Sequence, residues 1–126
     1  MEVQIKTNKQ INKIMGINST DTAYAFGQLG SGFVDDAGAF LPPAGKVIVA
    51  IQFLADTTLT VLTPDATQGN DAAFFGLATQ VDGNGANSET IADDNIFPKG
   101  LTIYGRWTAV TAAADGDGGI ICYFGE

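Results

Sequence analysis

Runs of β-branched and apolar residues, separated by short polar turns, dominate the sequence and predict strands. The first run covers residues 46–55 and follows a strong breaker, Pro-Pro-Ala-Gly. Residues 58–63 alternate apolar side chains with threonines, the period-two pattern of a strand with one buried and one exposed face. Because only Asp56 and Thr57 separate the two runs, the pattern predicts a hairpin.

Three further runs complete the predicted set of strands. Residues 73–79 form a short candidate, residues 101–110 the longest one, and residues 119–125 an apolar strand that is buried or central in its sheet. In the longest run, the alternation places Leu101, Ile103 and Trp107 on one face, and Thr102, Tyr104, Arg106 and Thr108 on the other. Gly105 lies on the first face, where its missing side chain leaves room for a neighbour or a bulge.

Glycine-rich and aspartate-rich segments lie between these runs, and no window of 11 or more residues has helical periodicity. We therefore predict an all-β protein: a single-domain β-sandwich or jelly roll with a short N-terminal arm and no helix longer than two turns. Residues 1–20 are predicted to be an N-terminal arm or the first strand, and residues 21–126 the β-sandwich domain.

Composition and charge favour a structural protein over an enzyme. The 126 residues include no histidine and a single cysteine, which removes the commonest general base and excludes a disulfide framework or a cysteine-rich metal site. The chain has six basic and 14 acidic residues, which gives a net charge of −8, so nucleic-acid binding is not expected. The longest apolar stretch is far shorter than the ~20 residues of a membrane helix, and no membrane partner is predicted.

The charge is distributed unevenly along the chain. Residues 1–20 carry Lys6, Lys9 and Lys13 against Glu2, a balance of +2, whereas the rest of the chain carries −10. The pattern indicates a slightly basic arm on an acidic body. One interpretation is that the arm lies along an acidic neighbour. The other is that the three lysines only make a β segment of this domain's own sheet soluble.

Several residue clusters resemble reactive or binding sites but have simpler interpretations. The glycines at 27, 30 and 32 lack the Lys-Ser/Thr and the following helix of a phosphate loop. Asp115-Gly116-Asp117 resembles the start of a calcium loop but departs from that pattern at the fifth and sixth positions, so it is interpreted as a turn. A looser cation site between acidic loops of neighbouring subunits is kept as an alternative. The acidic pairs at 35–36 and 93–94 are interpreted as solvated turn residues. We predict no catalytic residue, no metal site, no cofactor and no small-molecule substrate.

The remaining candidates are aromatic or sulfur-containing. Trp107 is predicted to be a core residue, which leaves Tyr104 and Arg106 on the opposite face as a protein contact rather than a saccharide-stacking surface. Cys122 lies in an Ile-Ile-Cys-Tyr-Phe run, which offers nothing to lower its pKa, and is predicted to be a buried, unreactive thiol.

The C-terminal third resembles a known group of proteins. Residues 97–108 (Phe-Pro-Lys-Gly-Leu-Thr-Ile-Tyr-Gly-Arg-Trp-Thr) and residues 120–125 (Ile-Ile-Cys-Tyr-Phe-Gly) resemble small virion structural proteins of marine tailed bacteriophages, the decoration or head-cement proteins. Together with residues 46–55, which are similar in character, these segments cover about a fifth of the chain. The resemblance implies a compact β domain bound to a capsid surface, commonly as a trimer near local three-fold positions, and it does not imply an enzyme.

These observations lead to the functional prediction. We expect a decoration protein, made in the host cytoplasm, that binds the outer surface of the major capsid protein shell and stabilises it as a homotrimer. The predicted capsid contacts are Val3, Ile5, Lys6, Lys9 and Lys13. The predicted contacts between subunits are Phe97, Tyr104 and Arg106. The alternative is a carbohydrate-binding or adhesion module on a phage fibre or appendage, which aromatic rings exposed on one face would favour.

Overall fold

The computed structural model describes residues 27–65, 74–77, 83–113 and 118–126, and these residues confirm the all-β prediction. They contain no helix. The five strands are β1 (Ser31–Val34), β2 (Val47–Phe53), β3 (Leu59–Pro64), β4 (Thr102–Ala112) and β5 (Ile120–Gly125). All pairs are antiparallel, and together they form one sheet in the order β1-β5-β2-β4-β3. The second sheet of a sandwich or jelly roll is not found within the described residues, so that finer architecture stays a prediction.

The predicted hairpin between residues 46–55 and 58–63 is wrong. The corresponding strands β2 and β3 are not neighbours, because β4 lies between them. The chain after β2 does not turn back on it. Instead, Thr57 exchanges two backbone hydrogen bonds with Phe97, at 2.9 and 2.8 Å, and the Thr57 side chain is buried. A buried, bridged residue cannot serve as the exposed corner of a two-residue turn.

Strand β4 is the longest strand and is irregular. Its register against β2 shifts between Ile48 and Ala50, and its register against β3 shifts between Thr63 and Pro64. Each shift changes which residues share a face, because side chains alternate with a period of two. As a result, Trp107, Val110 and Ala112 are all buried although their spacing is not uniform.

Gly105 confirms the prediction of a vacant position beside a large neighbour. A Cβ atom at Gly105 would lie 2.6 Å from Cη2 of Trp107, which is far inside van der Waals contact. The indole ring therefore occupies the space that a side chain at residue 105 would need.

One face of the sheet forms the core, and aromatic residues from the connecting segments cover it. Phe97 stacks on Phe53 with ring centroids 4.8 Å apart, and Phe40 stacks on Phe124 at 5.9 Å. Phe75 meets Trp107 edge to face at 5.6 Å. The fully buried residues on this face include Trp107, Phe53, Ile48, Ile51, Leu62, Val110, Ile120 and Cys122. The core is therefore made by a sheet on one side and loop aromatics on the other.

Candidate interaction surface

The opposite side of the sheet, which we call the open face, is built from two rows of residues that cross four strands. The first row runs from Phe33 in β1 through Ile121 and Gln52 to Thr102 in β4. Residues paired directly across antiparallel strands project to the same side of a sheet, so the register alone places these side chains together.

The second row runs parallel to the first and consists of Ser31, Tyr123, Ala50 and Tyr104. The Tyr123 hydroxyl donates a hydrogen bond to Oε1 of Gln52 over 3.2 Å, which links the two rows. Ala50 is small and lies between the two tyrosines. Ala50 itself is buried, so the accessible groups of the open face are aromatic rings, the Gln52 amide, hydroxyls and the partly buried Ile121 side chain.

Two large rings are exposed at opposite sides of this surface. Tyr104 is 70 % exposed and Phe33 is 58 % exposed, whereas the aromatic residues on the other face are part of the core. Single exposed apolar residues are common on proteins, but two exposed rings on one uncharged sheet face form a candidate contact patch.

Arg106 is the only charged residue within the five described strands. Its Nε donates to Oδ2 of Asp65 over 3.2 Å, and its Nη1 donates to the backbone carbonyl of Glu126. The Asp65 carboxylate is buried, and its backbone N–H donates to the carbonyl of Arg106 over 2.9 Å. Arg106 thus ties the end of β3 and the last residue to β4.

The three residues predicted as subunit contacts occupy different environments. Phe97 is half-buried against Phe53 and belongs to the core, while Arg106 is held by its own chain. Only Tyr104 presents most of its side chain at the surface. The predicted capsid contacts Val3, Ile5, Lys6, Lys9 and Lys13 lie outside the described residues.

The sequence pattern places Thr102 on the same face as Tyr104, but it does not predict that the residues of the other strands join them on the open face. The pattern assigns Ser31 and Gly32 to the glycine-rich turn segment 27–32 and assigns Phe33 and Val34 to no strand, so β1 is not predicted. Gln52 and Tyr123 were placed in strands, but the pattern did not show that these strands are neighbours. The alternation of Ser31 and Phe33 with Gly32 and Val34 is the one local signal for this strand.

The acidic pairs behave as turn residues, as predicted. Asp35, Asp36, Asp93 and Asp94 are all exposed, and Oδ1 of Asp36 accepts a hydrogen bond from the Gly38 N–H over 2.8 Å. The described residues contain no group of three or more side chains suited to a metal ion. The Asp115-Gly116-Asp117 segment lies outside the described residues.

The glycines near the start of the described chain serve turn geometry and packing. Gly27 and Gly30 have φ values of 89° and 115°, in the left-handed region that favours glycine. A Cβ at Gly32 would lie 2.5 Å from the Phe40 ring. These contacts account for the glycine spacing that a phosphate loop would otherwise suggest.

Cys122 confirms the prediction of a buried thiol. Its side chain is fully buried in the core, and desolvation by that burial raises the pKa of the thiol to about 12. We expect the thiol to react with a disulfide reagent at pH 8 only when the fold opens, since the thiolate is the reactive form. The labelling rate should rise with denaturant in step with unfolding. Fast labelling of the native protein would contradict this environment for Cys122.

The comparisons with known proteins do not assign the chain to a family. No family model, no curated protein and no solved structure matches it. No helix among the described residues is long and apolar enough to cross a membrane. The function must therefore be inferred from the residues and their arrangement.

Proposed function

We propose that this chain is a structural protein of a phage virion, a decoration protein that binds the outer surface of the major capsid protein shell and stabilises it. The observation that carries the proposal is the place of the two resembling segments in the sheet. Residues 97–108 contain the first half of β4 and residues 120–125 are β5, and these strands flank the central β2. The resemblance therefore concerns the structural centre of the domain.

The arrangement of charge supports a contact role. The five strands contain one charged residue, which is paired, although the whole chain carries −8. The exposed carboxylates of the described residues lie in the connecting segments and at the last residue. An acidic body with a neutral sheet surface and a basic arm has three chemically distinct surfaces for binding neighbours.

The arm is the proposed anchor on the capsid. Val3 and Ile5 alternate with polar residues, so this segment suits addition as a strand to a sheet edge of the capsid protein, with main-chain hydrogen bonds supplying affinity. Lys6, Lys9 and Lys13 then face acidic groups of the receiving surface. Exposed ion pairs contribute only about 0–1 kcal/mol each, so backbone pairing and apolar burial supply most of the binding energy.

Deletion of residues 2–14 tests this proposal. We expect the truncated protein to keep the far-UV circular dichroism of the intact one, while its affinity for capsids that lack the protein falls at least tenfold, about 1.4 kcal/mol. The matched control replaces Lys6, Lys9 and Lys13 with glutamine and should weaken binding less than the deletion. Undiminished decoration by the truncated protein would show that the arm is not the anchor, and an unfolded body would make the segment a strand of this domain's own sheet.

The alternative function, a carbohydrate-binding or adhesion module, has one specific observation in its favour. Tyr104 and Phe33 are exposed on the same face of the sheet, with the hydroxyl of Tyr123 and the amide of Gln52 between them. Flat aromatic rings stack on the C–H faces of sugars, and neutral amides and hydroxyls pair with sugar hydroxyls. Binding to a panel of neutral glycans that is lost in Tyr104→Ala would favour this function over capsid decoration.

A further inference from the structure

Copies of this chain repel one another wherever their acidic segments meet. Each copy carries −8, and charges closer than the screening length of about 8 Å at physiological ionic strength still interact. Asp35 and Asp36 follow β1, and Asp56 follows β2. A contact made through these connecting segments would therefore place carboxylate against carboxylate.

The open face is the surface on which this repulsion is absent. Neither of its two rows contains a charged residue. Arg106 borders the second row, two residues beyond Tyr104, but Asp65 and the carbonyl of Glu126 already engage its guanidinium. Two copies that meet through the open face keep their acidic segments at the periphery, where solvent screens them.

The chemistry of the open face is also that of the centre of an interface. Interface centres are enriched in tyrosine and phenylalanine and depleted in lysine, aspartate and glutamate. Gln52 accepts the Tyr123 hydroxyl at Oε1, and its amide group also carries two N–H donors that can pair with hydroxyl acceptors of another copy. The surface therefore contains both donors and acceptors for a contact with a second copy.

We propose that copies of this chain associate through the open face, with Tyr104 and Phe33 as the anchoring side chains. The contact places the exposed rings against the neutral surface of a neighbouring copy. The identity of the surface follows from the described residues alone. The number of copies, three, rests on the proposed function, because the resemblance behind that function is what implies a trimer. A three-fold contact places different parts of the open face against each other, whereas two open faces that meet symmetrically give a two-fold dimer.

The size of the open face sets the expected strength. The four strands that the open face crosses span about 14 Å at ~4.8 Å per strand, and strands of about six residues are about 20 Å long, so the projected area is about 300 Å² per copy. Stable complexes bury about 800 Å² per partner. The free protein should therefore associate weakly and in a concentration-dependent way, and the shell would hold copies together by raising their local concentration.

Analytical ultracentrifugation of the full-length protein over a concentration series tests the proposal without any capsid. The variants Tyr104→Lys and Phe33→Lys each place a charge on the open face, and each should weaken association at least tenfold. The matched controls are Leu41→Lys and Ile96→Lys. Both of these residues are 65 % exposed and lie in connecting segments, so the controls change charge and hydrophobicity equally away from the open face. They should leave the association constant within about twofold.

Each outcome decides the proposal. Association that weakens only in the open-face variants supports it, and a dimer with that behaviour supports the surface while contradicting the trimer. Wild-type protein that stays monomeric up to about 1 mM, or control variants that weaken association as strongly, would overturn it. Loss of neutral-glycan binding in Tyr104→Lys, with association unchanged, would make the open face a saccharide site instead. Failure of the full-length protein to bind capsids that lack it would contradict the proposed function and leave this result on self-association unchanged.

Discussion

Replacing Trp107 with alanine is expected to lower the free energy of unfolding by about 3–5 kcal/mol, the range for truncating a large buried aromatic residue. Trp107 is the largest fully buried side chain in the described structure. Its Nε1–H donates to the carbonyl of Phe75 over 3.0 Å, and its ring meets the Phe75 ring edge to face. Truncation therefore creates a cavity and also leaves a partly buried carbonyl without this donor.

Tyr104→Ala on the same strand is the control for this measurement. Tyr104 is mostly exposed, so at concentrations where the protein is monomeric its truncation should change the free energy of unfolding by no more than about 0.5 kcal/mol. Urea unfolding followed by far-UV circular dichroism measures both variants, because that signal does not depend on the tryptophan. Equal losses in the two variants would contradict the assignment of Trp107 to the core and Tyr104 to the surface.

A double-mutant cycle with Gly105 tests the packing in finer detail. Gly105→Ala alone forces its Cβ against the indole ring and should cost about 1–3 kcal/mol, as overpacking does. In the Trp107→Ala background the obstacle is gone, so the same substitution should cost much less. Additive losses would show that the ring does not lie over Gly105.

The sequence predicts the strands better than it predicts their partners. β2 and β5 are recognisable because their residues are mostly apolar, with Gln52 the one polar amide in β2, as expected for strands near the centre of a sheet. The pairing is not recognisable, because β2 pairs with strands that follow it by about 50 and 70 residues. Nothing in a local pattern encodes these distances. The pattern therefore predicts a hairpin between the two runs in residues 46–63, which are adjacent in sequence but not in the sheet.

The candidate surface was only partly predictable for the same reason. The alternation in residues 101–110 correctly separates Trp107 from Tyr104, since a strand projects neighbouring side chains to opposite sides. Phe97 belongs to the core because it stacks on Phe53, and Arg106 is held in an ion pair with Asp65. Both partners lie about 40 residues away in the sequence, so a local pattern does not show them. Phe33 joins the surface only because β1 pairs with β5. The open face is a product of sheet register, which single-sequence periodicity does not contain.

The Arg106–Asp65 pair leads to the second large expected effect. Replacing Arg106 with methionine should lower the free energy of unfolding by about 2–4 kcal/mol, because it removes the cation facing a buried carboxylate while keeping most of the side-chain volume. This expected loss of stability is smaller than that for a fully buried ion pair, because the Arg106 side chain is 20 % exposed. The lost hydrogen bond to the Glu126 carbonyl adds to the cost.

Replacing the partner, Asp65, should lower the free energy of unfolding by less, and the losses from the two substitutions should not add in full. Asp65→Asn removes the negative charge but keeps an oxygen that accepts from Arg106, and the guanidinium still reaches solvent and the Glu126 carbonyl, so we expect about 1–2 kcal/mol. In the double variant the buried position carries no charge. Its free energy of unfolding should therefore be equal to or higher than that of Arg106→Met alone. Chemical denaturation of the wild type and the three variants measures this, and a double variant less stable than either single one would show that the pair does not act through its buried charge.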